Sequence, residues 1–236
     1  MNSPRLSFLI SSIFFAAACG EKGVDTEGTP TTTDATTETA TDGTTAPTTG
    51  EPACVDPSLT EFGPSVEVTL RNDGDARLFV NLQENCTTVL PFSLRDASDA
   101  EVVINKDACD SACEAVLSGG CGCPAGCPIG DVIQLEPGGT FVASWTGRVW
   151  AEVTLPAECP KDGCAPQCFA AGQASEGTYT VVARAHDAVG ECLACTCEPG
   201  PEGSCVVSGA IAMGAEVVAE AELAYPMQTA LAVTFE

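Results

Sequence analysis

The sequence has 236 residues and a formal net charge of −24, from 33 Asp and Glu residues against nine Lys and Arg residues. This charge would repel phosphate groups, so it excludes nucleic acid as a partner. The single histidine excludes His-rich catalytic metal sites, and no Gly-x-Ser-x-Gly, His-Glu-x-x-His or phosphate-binding glycine loop occurs. We therefore predict no enzyme and no cofactor, although the many acidic pairs leave a carboxylate glycosidase open on composition alone.

The first 18 residues have the pattern of an export signal peptide. Arg5 supplies a positive charge, residues 6–15 are mainly apolar, and alanines at 16–18 provide the small side chains that a signal peptidase requires. The apolar run of about ten residues is too short for a permanent membrane-spanning helix, which needs about 20. We predict that residues 1–18 are removed on export.

Cys19 directly follows this segment. The run Ala16-Ala17-Ala18-Cys19-Gly20 resembles the lipobox of bacterial lipoproteins, in which cleavage before the cysteine accompanies attachment of diacylglycerol to its thiol. The cysteine count agrees with this role, because 15 cysteines less Cys19 leave 14, a number that can pair fully. The resemblance implies attachment to the cell envelope, and Gly20 is no evident inner-membrane retention signal, which favours the outer membrane. The alternative is secretion without lipid.

Residues 19–52 predict a disordered, threonine-rich tether. Of residues 21–50, 13 are Thr and most others are Gly, Ala, Asp, Glu or Pro, so little apolar surface is available to offset the entropy cost of ordering. A flexible chain of this length spans roughly 30 Å. The segment resembles the tethers of many myxobacterial cell-surface lipoproteins. It is either a bare spacer or a stalk that carries O-glycans.

Residues 53–236 predict one all-β domain. Apolar and polar residues alternate in short runs bounded by turn residues, the pattern of a sandwich or barrel. The expected strands cover residues 66–70, 78–82, 92–94, 102–104, 132–135, 141–145, 149–155, 179–185 and 231–235.

Three further segments belong to this pattern. Residues 217–223 alternate as a strand does, but their Ala and Glu residues also favour a helix. The run Asn72–Asp75 predicts a hairpin turn between the first two strands, and it lacks the spacing and closing Glu of a calcium loop. A second turn is expected at residues 136–139.

Two stretches carry a family resemblance. Residues 135–148 (LEPGGTFVASWTGR) and 176–185 (EGTYTVVARA) resemble the "Pro-Gly … Trp-x-Gly" and "Pro-Gly-Thr-Tyr-x-Val" passages of bacterial immunoglobulin-like domains, including the BsuPI-type proteinase inhibitors and flagellar hook-capping proteins. The likeness covers about residues 64–187, with Glu176 in place of the usual Pro. It implies an Ig-like β-sandwich, and it makes a proteinase inhibitor one alternative function.

The 14 cysteines beyond Cys19 predict a disulfide framework, expected in loops rather than in strands. The first insert (residues 109–127) has five, the second (159–168) three and the third (192–205) four, so full pairing requires each of the first two to send a bridge elsewhere. Each bridge typically stabilises by about 2–4 kcal/mol, and such bonds persist in exported proteins. These residues are Cys54, Cys86, Cys109, Cys113, Cys121, Cys123, Cys127, Cys159, Cys164, Cys168, Cys192, Cys195, Cys197 and Cys205.

The inserts also permit other interpretations. A short helix over residues 107–118 would place Cys109 and Cys113 on one face, aimed at one neighbour. Cys121-x-Cys123 and Cys192-x-x-Cys195-x-Cys197 resemble soft-metal ligand spacings, which makes a metal-binding envelope protein a second alternative. Cys192 and Cys195 also have the spacing of a redox pair, without the βαβ context of a thioredoxin-like protein.

The function expected from these features is that of a surface-exposed, lipid-anchored binding or structural module of the cell envelope. Rigid loops on a scaffold are a common place for recognition, so a protein or polysaccharide ligand is expected at the cysteine-rich inserts. His186 is expected on the solvent face of its strand beside Arg184, as an ordinary surface residue.

Overall fold

The computed structural model describes residues 54–190, 192 and 197–236, which belong to one compact unit. The predicted signal peptide, the lipid attachment at Cys19, the tether and Cys195 lie outside the described residues. Within the described ranges, no helix is long and apolar enough to cross a membrane.

The described part of the chain contains 14 strands and one short helix, which confirms the all-β prediction. The strands are β1 (Val66–Asn72), β2 (Leu78–Asn81), β3 (Gln83–Glu84), β4 (Thr87–Thr88), β5 (Ser93–Arg95), β6 (Glu101–Val102), β7 (Asp131–Leu135), β8 (Thr140–Trp145), β9 (Arg148–Thr154), β10 (Gln167–Gln173), β11 (Gly177–Val189), β12 (Ser204–Ser208), β13 (Ala212–Tyr225) and β14 (Ala230–Phe235). The helix is α1 (Cys113–Ser118).

Two main sheets build the domain. In the smaller sheet β1 lies between β14, which runs parallel to it, and β8, which runs antiparallel. The larger sheet has the order β12-β7-β2-β11-β5-β6, and β13 pairs along the other edge of β11. The strands β9 and β10 form a separate antiparallel pair, as do β3 and β4.

Side chains from the inner faces of both sheets meet in one apolar core. In β1 every second residue is buried, because successive side chains of a strand point to opposite faces. Trp145 of β8 lies against Tyr179 and Tyr225 of the larger sheet, with ring centroids 6.4 and 5.1 Å away. The core residues with no exposed surface include Val66, Val68, Leu70, Leu94, Ile133, Leu135, Val181, Ala183, Leu223 and Val233.

The link between β1 and β2 corrects the expected hairpin. β1 pairs with β8 and β14, whereas β2 pairs with β7 and β11, so residues 73–77 carry the chain from one sheet to the other. The buried Asn72 side chain shapes this crossing: its Oδ1 accepts a hydrogen bond from the Gly74 amide at 3.1 Å, and its Nδ2 donates to the Ala76 carbonyl at 2.8 Å. The Asp-Gly sequence identifies a turn correctly, but it does not specify which sheet the next strand joins.

Residues 217–223, for which the sequence allowed a strand or a helix, lie in a strand. β13 pairs with β11 at twelve positions, from Gly177↔Tyr225 to Val189↔Ala212, and this ladder outweighs the helix preference of its Ala and Glu residues. Leu223 is buried on its inner face, while Glu220 and Glu222 are exposed on the outer one.

Four strands, β3, β4, β10 and β12, were not expected from the sequence. β10 and β12 hold Cys168 and Cys205, so the prediction that the cysteines avoid strands is wrong at these two positions. β3 and β4 have only two residues each, and β10 and β12 lie next to cysteine-rich loops, so apolar alternation gave little indication of these strands. The strand expected over residues 102–104 is also shorter than predicted, since β6 ends at Val102.

Candidate functional site

Disulfides join the inserts to each other and to the remainder of the domain. The pairs Cys113–Cys168 and Cys121–Cys164 link the first insert to the second. As parity predicted, both inserts also send bridges elsewhere. The remaining bonds that the structure describes are Cys54–Cys159, Cys86–Cys127, Cys109–Cys123 and Cys197–Cys205.

The helix of the first insert is shorter than predicted. α1 begins at Cys113, so Cys109 lies before it and pairs within its own insert, while Cys113 reaches Cys168 of β10. The expectation that both thiols face one neighbour is therefore wrong. Gly119 ends the helix at φ +85°, a left-handed backbone conformation that favours glycine.

A second apolar core lies beneath the two joined inserts. Val116 of α1 packs with Leu155 and Ala170 around the buried sulfur-bearing side chains of Cys113, Cys159, Cys164 and Cys168. The backbone is joined as well, since the Lys161 amide donates to the Val116 carbonyl at 3.2 Å. The loops are therefore fixed by covalent bonds, apolar packing and hydrogen bonds together.

The soft-metal alternative loses its expected ligands. Cys121, Cys123 and Cys197 are bonded in disulfides, whose sulfurs lack the thiolate that zinc and cuprous copper require. Cys192 is disulfide-bonded too. Among the residues that the structure describes, no group of three or more His, Cys, Asp or Glu side chains is arranged to hold a metal ion.

A cleft of about 630 Å³ lies on the outer side of the larger sheet. It opens where two short strands share one edge of β11: β5 pairs with residues 180–182 and β2 pairs at His186. In the described part of the chain no strand pairs with residues 183–185 on this edge. The sheet forks there, and we call the resulting space the fork cleft.

The fork cleft has an apolar floor and charged walls. Val80, Phe92 and Val182 line it and are almost fully buried. Arg184 and Glu216 form an ion pair of 3.0 Å in its wall. These residues come from four separate strands and loops, so nothing in the linear sequence indicated that they would meet.

Ion pairs neutralise both cleft arginines. Arg95 lies 3.3 Å from the Asp99 carboxylate and 3.6 Å from that of Glu220, and Arg184 is held by Glu216. Two further carboxylates, Glu84 and Glu101, line the cleft and are exposed. The charge left over in the cleft is therefore negative.

His186 is less exposed than expected. It shares the outer face of β11 with Arg184, as predicted, but it is half-buried and lines the fork cleft. Its Nδ1 is buried and has no hydrogen-bond partner among the described residues. Neighbouring strands on both edges explain the difference, because His186 pairs with Phe79 of β2 and with Glu216 of β13.

A smaller cavity of about 280 Å³ lies at the first two inserts, residues 109–127 and 159–168, which we call the stapled inserts because disulfides join them. Asp110 and Val116 of the first insert line it together with Glu152 of β9 and Phe169 of β10. Arg148 of β9 stacks nearby on the same strand face, with its guanidinium 5.0 Å from the Trp150 ring centroid. The inserts thus present a structured surface with a concavity of its own.

Comparison with known proteins finds no matching family model, no matching curated protein and no matching solved structure.

Proposed function

We propose that this chain is an exported lipoprotein, held at the cell envelope by lipid on Cys19, whose β-sandwich presents the stapled inserts as a binding surface. The sequence of residues 1–19 supports the anchor, and the threonine-rich tether supports display away from the lipid. The partner is a protein or a polysaccharide of the envelope, and the role involves no catalysis.

The observation that carries the binding role is the double covalent link between the first two inserts. Cys113–Cys168 and Cys121–Cys164 hold α1 and the second insert over a shared apolar core. Loops that are ordered in advance lose less conformational entropy on binding, so they bind a partner more tightly than mobile loops of the same composition. A purely structural module gains nothing from an exposed concavity beside such loops.

An Ig-like arrangement of the sandwich is part of this proposal. The Tyr179 hydroxyl, near the start of β11, donates a 2.7 Å hydrogen bond to the Ser175 carbonyl four residues upstream. A tyrosine that bonds back to the backbone in this way is typical of Greek-key Ig-like sandwiches. The sequence resemblance of residues 135–148 and 176–185 supports the same arrangement.

The anchor is tested by metabolic labelling with a fatty acid in a bacterial host. The chain is expected to incorporate label and to fractionate with the outer membrane, whereas a Cys19→Ser variant is expected to remain unlabelled. Equal labelling of the two would contradict attachment at Cys19. Absence of label from both would leave secretion without lipid as the correct interpretation.

The binding surface is tested without disturbing the disulfides. A Glu114→Gln, Glu158→Gln, Lys161→Ala variant changes two exposed side chains of the inserts and the adjoining exposed Glu158, and it keeps every cysteine. We expect weaker association with isolated envelope polysaccharide or envelope protein than for the parent chain. The matched control is Glu67→Gln, an exposed residue on the smaller sheet. Identical association for all three chains would remove the inserts as the binding site.

The proteinase-inhibitor alternative is supported by the sequence resemblance alone. It predicts inhibition of at least one member of a broad protease panel by the folded chain. No inhibition across the panel would end this alternative and leave the binding proposal intact.

A further inference from the structure

We propose that the fork cleft binds a small organic cation, an amine with an apolar body. The cleft lies on the larger sheet and includes no residue of the stapled inserts, so this proposal goes beyond the binding role proposed above. It also stands independently of the lipid anchor.

The fork cleft has the size of a small-molecule pocket. Its volume of about 630 Å³ lies within the range of pockets that hold small molecules, about 300–1,000 Å³. Above its buried floor, Val89, Leu90 and Val102 line it with apolar side chains that are only partly buried. A lining of this kind suits a ligand with a hydrocarbon portion.

The net charge of the cleft determines whether it attracts a cation or an anion. Arg95 and Arg184 are each engaged by carboxylates of the protein, so they offer little to an anion. Glu84 and Glu101 take part in no ion pair of the described residues. Two unmatched carboxylates at the rim attract a cation, and a chain of net charge −24 strengthens that attraction over longer distances.

The hydrogen-bonding groups of the cleft agree with the charge. Carboxylates only accept hydrogen bonds, and the buried Nδ1 of His186 accepts one when the proton of the neutral ring is on Nε2. The charged groups left without partners in the cleft are therefore acceptors. An ammonium has three donors and no acceptor, so it complements the two carboxylates, whereas a carboxylate or phosphate ligand is repelled by them.

His186 also provides the measurement, because it is the only histidine in the chain. Its imidazole signals in an NMR spectrum of the folded, ¹⁵N-labelled full-length chain report on the cleft without any mutation. We would titrate three probes of equal carbon length at low ionic strength: 1,5-diaminopentane, 1,5-pentanediol and pentanedioate. The diamine is expected to shift the His186 signals to saturation, with an affinity at least about tenfold above that of the diol, and the dianion is expected to cause no shift.

A matched pair of variants separates the cleft from general attraction to an acidic protein. Glu84→Gln with Glu101→Gln removes the two unmatched rim charges and is expected to weaken diamine binding by about tenfold. Glu67→Gln with Glu152→Gln changes the net charge equally at exposed positions outside the cleft, and the affinity is expected to stay within about twofold. All four positions are exposed, so neither variant disturbs the core.

The outcomes that overturn the proposal are specific. Equal shifts with the diol would show that the apolar floor alone attracts ligands. Saturable binding of pentanedioate would show that the cleft binds anions and not cations. Equal loss of affinity in both variants would show attraction to the acidic surface as a whole, and no shift with any probe would show that the cleft binds none of these chemistries.

Discussion

The side-chain amide of Asn72 donates a hydrogen bond of 3.2 Å to the backbone carbonyl of Leu135, and this bond joins the two sheets of the sandwich. Asn72 ends β1 of the smaller sheet, and Leu135 ends β7 of the larger one. The backbone of Asn72 takes part as well, since its carbonyl accepts from the Gly138 amide at 2.7 Å and its amide donates to the Gly139 carbonyl at 3.0 Å. The chain crossings from β1 to β2 and from β7 to β8 therefore meet at one buried polar residue.

Replacing Asn72 with alanine should destabilise the domain strongly. The substitution leaves the carbonyls of Ala76 and Leu135 and the amide of Gly74 without their side-chain partner, inside or at the edge of the core. Unsatisfied buried polar groups cost about 1–3 kcal/mol each when one partner is removed, so we expect a loss of about 2–4 kcal/mol in the free energy of unfolding. Denaturant unfolding with the disulfides intact measures this loss.

The control lies three residues further along the same crossing. Asp75 is exposed, and Asp75→Ala should change the free energy of unfolding by no more than about 0.5 kcal/mol. If Asn72→Ala proved as stable as Asp75→Ala, the hydrogen bond to Leu135 would not hold the sheets together.

The strands that build the main core could be predicted because their local pattern and their environment agree. In β1 and β11, and more weakly in β8 and β14, large apolar residues alternate with small or polar ones, and most of the large apolar residues pack between the sheets. Which strands pair with each other is harder to predict, because pairing depends on contacts between residues that are distant in the sequence. The Asp-Gly sequence after Asn72 predicted a hairpin, and this was wrong because the chain crosses there to the other sheet.

The candidate site was predictable only in part. The cysteines indicated disulfide-linked inserts, and parity required each of the first two inserts to send a bridge elsewhere, but the pairing of Cys113 with Cys168 follows from the packing of α1 against β10. The fork cleft had no signal in the sequence. Glu84, Arg95, Glu101 and His186 lie on four segments that meet only because β2 and β5 share one edge of β11.

Tyr179 should make the stability of the domain depend on pH in the alkaline range. Burial, followed by the charges of Tyr225 and Asp96, raises the pKa of the Tyr179 phenol above its usual value of 10.0. The unfolded chain therefore releases this proton first as the pH rises. The contribution to stability is complete below pH 10.0 and is lost as the pH rises through the raised pKa of the folded state.

Tyr179→Phe should separate this effect from other alkaline changes. The variant loses the hydrogen bond to the Ser175 carbonyl, which costs about 1 kcal/mol at neutral pH. Between about pH 9 and pH 11, its free energy of unfolding should fall less steeply than that of the parent chain. Parallel pH profiles for the two chains would show that the Tyr179 phenol has the same pKa in the folded and unfolded states.

The disulfide framework predicts the mass of the oxidised chain. If all 14 cysteines beyond Cys19 pair, the native chain is about 14 Da lighter than its reduced form, two hydrogens for each bond. Intact-mass measurements of the chain with and without reductant test this directly, and a thiol-reactive label should add nothing to the denatured, non-reduced chain. A metal adduct together with several labelled thiols would instead revive the soft-metal alternative.

Removal of individual bridges should destabilise the domain according to the chain length that each closes. Cys113–Cys168 spans 55 residues and Cys197–Cys205 spans eight. Because Cys121–Cys164 stays closed inside it, the first bridge closes a loop of roughly 13 residues, and the loop-closure entropy removed from the unfolded state corresponds to about 3 kcal/mol for the first bridge and about 2.5 kcal/mol for the second. We therefore expect Cys113→Ala with Cys168→Ala to lower the free energy of unfolding more than Cys197→Ala with Cys205→Ala.

Burial, like loop length, should make the loss in free energy of unfolding larger for Cys113–Cys168 than for Cys197–Cys205. Cys113 and Cys168 lie in the second apolar core and are almost without exposed surface, so their replacement also leaves a small cavity among Val116, Leu155 and Ala170. Denaturant unfolding of both double variants compares the two losses on one scale. A larger loss for the short bridge would contradict this order and would show that Cys121–Cys164 and the apolar core suffice to hold the two inserts together.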